Sequence, residues 1–141
     1  AGELKLSGNA GYIDSHQRLS DLQPETNLAG TLYNPPHFRA RAGGVWKSGD
    51  TVASAFVNYT GGVSDVRTST PVQVSSMTTV DLSVHYKIGH IFQVGVAAQN
   101  VLNQAPGVIA TNPVYAYEAP YDSTNYSPFG RVVSFNLTAN W

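Results

Sequence analysis

Asp81, Ser83 and His85 alternate along one short stretch, so an acid, a hydroxyl and an imidazole share one side of an extended chain. Those are the ingredients of nucleophilic hydrolysis. Their spacing argues against it. Alternate residues of a strand stand about 7 Å apart, too far for direct contact between nucleophile and base. No Gly-x-Ser-x-Gly elbow surrounds Ser83 to lift it out of a sheet. Polar residues lining a wet surface is the better reading, and no enzymatic activity is expected.

The four histidines, His16, His37, His85 and His90, are scattered without ligand spacing. Cysteine is absent, so thiolate metal sites and disulfide frameworks are excluded. We therefore expect neither a bound metal nor a cofactor. Arg39 and Arg41 share one face near the end of a strand candidate, where they would meet an anionic ligand or pair with carboxylates. Tyr115, Tyr117, Tyr121 and Tyr126 crowd one loop. Tyrosine presents a flat apolar body and a polar tip at little conformational cost, which makes this loop the best candidate for ligand contact. The competing reading is that these rings pack loop against loop. Asn58-Tyr-Thr, Asn125-Tyr-Ser and Asn136-Leu-Thr match the glycosylation triplet, but two lie within strand candidates and all are read as chance.

The elements that must position these residues are legible as alternation. Val133, Phe135, Leu137, Ala139 and Trp141 interleave with Val132, Ser134, Asn136, Thr138 and Asn140. A period of two places one set on each face of a strand. Similar alternation predicts strands over 3–13, 37–47, 51–60, 79–88 and 91–102, with 131–141 the last. Leu4, Leu6, Gly8, Ala10 and Tyr12 oppose Glu3, Lys5, Ser7 and Asn9. Val80, Leu82, Val84, Tyr86 and Ile88 oppose Asp81, Ser83, His85 and Lys87. The 51–60 segment alternates least cleanly, because both its faces carry apolar residues.

Composition narrows the class. Of the 141 residues only 12% are charged, about half the usual share of a soluble domain, yet hydrophobicity is ordinary. Outer-membrane barrels have this balance. A net charge of −1 leaves no basic footprint, so no nucleic-acid partner is expected. No apolar run approaches the roughly 18 residues of a membrane helix.

Three features of the strand map agree. Glu3, Lys5, Arg39, Arg41, Lys47, Asp81 and Lys87 all fall on the second face, as a bilayer enforces when a lysine or arginine at its midplane costs roughly 2–4 kcal/mol. Long connections, at about 14–36, 61–77 and 103–130, alternate with the short turns Ser48-Gly49-Asp50 and Gly89-His90. Strand polarity then puts Tyr12, Phe38 and Tyr59 beside the long loops. Trp46, Tyr86, Phe92 and Trp141 fall beside the short turns or at the last position. Two aromatic girdles flanking an aliphatic band are the mark of a transmembrane β-barrel. Six strands are too few to close one, since the smallest natural barrels have about eight and lipid tolerates no open edge. The expectation is an all-β, antiparallel, up-and-down segment of a larger barrel, with further strands supplied from elsewhere.

The succession NPPHFRARAGGVW, VNYTGG, TTVDLSVHYKIG, FQVGVAAQNVLNQ and SPFGRVVSFNLTANW resembles the C-terminal end of TonB-dependent outer-membrane receptors. The likeness covers essentially the whole chain. It departs at Ala105-Pro106-Gly107, where an aromatic is usual, and the plug domain and TonB box are absent from these residues. The resemblance implies the last six strands of a barrel of about 22, in the outer membrane of a Gram-negative bacterium. It implies uptake of a large scarce nutrient, a ferric siderophore foremost. The implied partners are the remaining barrel and plug, the TonB complex acting through that plug, outer-membrane lipids and the barrel-assembly machinery. That machinery would read the terminal strand through Val133, Phe135, Leu137 and Trp141. The principal alternative is a soluble β-sandwich binding a ligand such as a carbohydrate. A weaker one is an outer-membrane enzyme using the Asp81–Ser83–His85 face.

Overall fold

A computed structural model describes residues 2–67, 69–110 and 118–140. Among them there is no helix, and none long and apolar enough to cross a membrane. The strands in chain order are β1 (Glu3–Tyr12), β2 (His16–Gln17), β3 (Thr26–Asn27), β4 (Phe38–Ser48) and β5 (Thr51–Thr60). There follow β6 (Val63–Asp65), β7 (Val72–Val74), β8 (Met77–Ile88), β9 (Phe92–Gln99) and β10 (Val132–Ala139). The six long strands form one antiparallel sheet in the order β1-β4-β5-β8-β9-β10, each beside its predecessor. β2 pairs with β3, and β6 with β7, as small ribbons inside the long loops. The large sheet does not close: β1 and β10 are its two edges.

The predicted strands are all present; β5 covers 51–60 as predicted, and the others have one or both ends moved. Pairing of Thr60 with Met77 starts β8 two residues ahead of the predicted 79. β4 covers 38–48 rather than 37–47, because Ser48 still pairs with Thr51 across the two-residue turn at Gly49 and Asp50. There Gly49 takes a φ of 55°, and Gly89 at the other short turn takes 63°. Glycine reaches this left-handed region without steric cost. β9 stops at Gln99 instead of running to 102, because Asn100 at φ 48° and Asn103 at φ 56° turn the chain away. Asparagine is the side chain that best tolerates such angles. The last strand covers 132–139 rather than 131–141; Trp141 lies outside the described residues.

Register decides how the alternating faces combine. Leu4 pairs with Trp46, and Trp46 with Ala53. Ala53 pairs with Val84, Val84 with Val96, and Val96 with Phe135. Directly paired residues project to the same side, so the six apolar sets merge into one continuous face. The charged residues of the strands gather on the other. Tyr12, Phe38 and Tyr59 sit at the long-loop end of the apolar face, with the Phe38 and Tyr59 rings 5.9 Å apart. Trp46, Tyr86 and Phe92 sit at the short-turn end, and Phe135 falls midway.

No second layer covers this sheet among the described residues. Leu6 is 74% exposed and Phe135 71%, and Trp46, Tyr86 and Phe92 are exposed as well. The two-sheet sandwich is therefore not the architecture these residues form. Burial is found instead where the three long loops meet. Leu32, Val63, Val74 and Ile109, one or two from each loop, make the hydrophobic cluster of the molecule, with Tyr33 packed against it.

Candidate functional site

The polar face and the loop cap above it hold the candidate chemistry. Period two aims Arg41 of β4, Asn58 of β5 and Asp81 of β8 at the same side, and register brings them together. The Arg41 guanidinium donates to Asn58 Oδ1 and, at 3.3 Å, to Asp81 Oδ2. Asn58 Nδ2 donates to the same Asp81 oxygen at 2.8 Å and to Thr79 Oγ1 at 3.2 Å. The other Asp81 oxygen accepts the backbone N–H of Asn100 at 3.0 Å. Arg41 also lies over the Phe56 ring, 4.2 Å from its centroid. Phe56, with Val52, blurs the alternation of 51–60. Phe56 fits because Gly43, directly opposite, leaves the space; a Cβ there would run into Phe56 and the Ala55 carbonyl.

Asp81, Ser83 and His85 do not assemble into a catalytic relay. Asp81 is committed as above, and Ser83 Oγ shares a 2.7 Å hydrogen bond with Ser54 Oγ. His85 Nδ1 is buried with no hydrogen-bond partner. Among the described residues, no cluster of three or more potential ligands could hold a metal ion.

The loops are tied to one another by charge as well as by packing. Arg67 of the second loop donates to Asp65 Oδ2 at 2.8 Å and Oδ1 at 2.9 Å, to the Ala110 carbonyl at 2.9 Å, and to Glu118 of the third loop. Tyr33 of the first loop donates its hydroxyl to the same Glu118 oxygen at 2.9 Å. Its backbone N–H donates to Asp122 at 3.1 Å. The Arg67 hydrogen bond holds the Asp65 carboxyl below the usual carboxylate range. Asp65 in turn raises Arg67 beyond its already high value. Burial first, then the bond to Glu118, pushes the Tyr33 hydroxyl up.

The sequence-predicted contact residues divide. Arg39 donates to Asn125 of the third loop, so both arginines are engaged within the chain rather than left open. Tyr126 is 5% exposed and donates its hydroxyl to the Gly61 carbonyl at 3.0 Å, packing loop against loop. Burial pushes its hydroxyl up as well. Tyr121 is half-buried in an antiparallel bridge with Val108. Tyr115 and Tyr117 lie outside the described residues. No protein-family model, no curated protein and no solved structure matches this chain.

Sequence reasoning missed the polar pocket that these contacts frame. It lies between the loop ends of β5, β8 and β9 and the stretch 125–130 of the third loop, with a volume of about 360 Å³. Thr60, Thr79, Asp81, Gln99 and Asn100 line it from the strand ends, and Ser127 and Phe129 from the third loop. The signal available was Asn100-Val-Leu-Asn103. Its two left-handed asparagines start the loop, and Asn103 Oδ1 accepts the Arg131 N–H at 2.9 Å where the loop returns.

Proposed function

We propose that this chain is wall from the barrel of a TonB-dependent outer-membrane receptor, importing a large scarce nutrient, a ferric siderophore foremost. One observation carries the reading. Six strands bring their uncharged, apolar sets into register on a single face, and the described residues lay nothing over it. Soluble monomers rarely leave a contiguous apolar patch beyond a few hundred Å² exposed, whereas lipid is the natural cover for such a face. Gathering of all three long loops at one end, and of the two short turns at the other, accords with a barrel whose long loops face outward.

In this reading β1 and β10 continue into further strands of the receptor, because an unpaired edge is not tolerated in lipid. The polar face looks into the lumen, where a plug driven by TonB would sit. Trp46, Tyr86 and Phe92 anchor one interface, and Tyr12, Phe38 and Tyr59 the other. Val133, Phe135 and Leu137 belong to the strand read by the assembly machinery. The wall contributes shape and contacts, and no bond chemistry.

These 141 residues contain no cysteine, so labels can be placed in them one at a time. Single cysteines at Leu6, Val84 and Phe135, and at Ser54, Ser83 and Ser134, would carry spin labels in the intact receptor reconstituted in bilayers. The first set should relax with oxygen dissolved in the membrane, the second with a water-soluble nickel chelate. Equal access of the nickel chelate to both sets would defeat the proposal.

A further inference from the structure

We infer that the polar pocket beneath residues 125–130 binds a neutral, polyhydroxylated ligand, a saccharide of one or two rings. Its volume of about 360 Å³ falls within the roughly 300–1,000 Å³ of small-molecule sites. The chemistry of its lining selects the class. Asp81 is the one carboxylate there, and Arg41, Asn58 and the Asn100 N–H already satisfy it. No arginine, lysine or histidine is among its lining residues, and Arg41 and Arg39 are spent on Asp81 and Asn125. An ionic ligand would therefore enter with no counter-charge waiting for it, and burying an unpaired charge is costly.

What remains unspent is amide and hydroxyl. Gln99 and Thr60 line the pocket, and their side chains make no hydrogen bond among the described residues. Thr79 Oγ1 and Ser127 Oγ accept hydrogen bonds from Asn58 and from the Phe129 N–H, which leaves each hydroxyl hydrogen free to donate. A hydroxyl-rich ligand matches such a set, since each of its groups both donates and accepts. Phe129 lines the pocket with 70% of its surface exposed, an aromatic side chain suited to stacking on the C–H side of a sugar ring. A lipid tail would leave the amide and hydroxyls unpaired.

The roof is held in place before any ligand arrives. Asn125 Nδ2 donates to the Asn34 carbonyl at 2.8 Å, and Tyr126 is anchored on Gly61. A site already in its bound shape pays little ordering entropy. As a step in transport the inference rests on the receptor-wall reading; as a binding site it does not.

The test uses the intact receptor containing this chain, titrated with maltose, cellobiose and chitobiose, with ferric citrate as the anionic control. At least one disaccharide should bind saturably, and ferric citrate should not compete with it. Phe129→Ala and Gln99→Ala should each weaken that binding about five- to tenfold, the loss of one stacking or hydrogen-bonding contact. Leu22→Ala, on an exposed loop, should leave it unchanged. Both site residues are exposed, so an unaltered melting profile separates lost contact from lost folding. Failure of all three sugars to bind overturns the inference, as does binding indifferent to both substitutions. Either result in a receptor still resident in the outer membrane leaves the wall reading standing. Sugar binding that depends on Phe129, in a protein found free of the membrane, keeps the site and removes the wall.

Discussion

Gly43 and Phe56 form a pair that only their register explains. Phe56 turns its ring to the polar face, where Arg41 covers one side of it and the missing side chain of Gly43 admits it. Gly43→Val should cost about 1–3 kcal/mol by overpacking, read as a lower thermal midpoint of the folded protein. Adding Phe56→Ala should restore only part of the loss, because the Ala55 carbonyl still meets the new side chain. Arg67 holds the cap in a similar way. Arg67→Ala would strand the buried Asp65 carboxylate, at a cost of about 1–3 kcal/mol, and should speed amide exchange in 61–67 by about five- to 150-fold. Asp65 also gives the cap a pH dependence. Its folded pKa is depressed, so its stabilisation is complete above the ordinary value of 3.8 and fades as pH falls through the depressed one. Protease resistance of the loops should therefore hold from pH 8 to about 5 and decline only in stronger acid, as far as this pair governs it.

Strands as units were legible because their signal is local and repeated. Eight to twelve residues of alternation survive an odd member such as Phe56. The ribbons β2–β3 and β6–β7 were not legible, since two or three residues carry no period. Strand ends depended on backbone angles that alternation does not encode. At the end of β9, Asn100 takes a left-handed φ, donates its side-chain amide to the Gln104 carbonyl at 2.8 Å and accepts the Gln104 N–H at 2.9 Å. Asn100→Ala loses both bonds and keeps the strain, for a penalty of about 1–3 kcal/mol. Asn100→Gly loses the bonds but removes the strain, and should be the milder of the two in a denaturant titration. The reverse order would mean that the φ angle is not what ends the strand.

The molecule as a whole inverts the usual placement of a core. Its buried apolar cluster lies in the loops, while the sheet shows an apolar face to whatever surrounds it. Val84 near the middle of that face tests what the surroundings are. In lipid, Val84→Arg should cost about 2–4 kcal/mol, measured by denaturant unfolding of the protein in bilayers. A face washed by water would register within about 0.5 kcal/mol of zero. The sequence by itself determined the two faces, the six long strands and the end of the sheet at which each loop emerges. All of these follow from nearest-neighbour geometry, in which successive side chains must point opposite ways. Tertiary structure alone decided that Arg41 meets Asp81, that Arg67 reaches Glu118, and that Leu32 packs with Ile109. Those partners lie 40 or more residues apart. No local period records which distant residue a side chain will find, so the pocket and the cap became visible only when the strands were laid side by side.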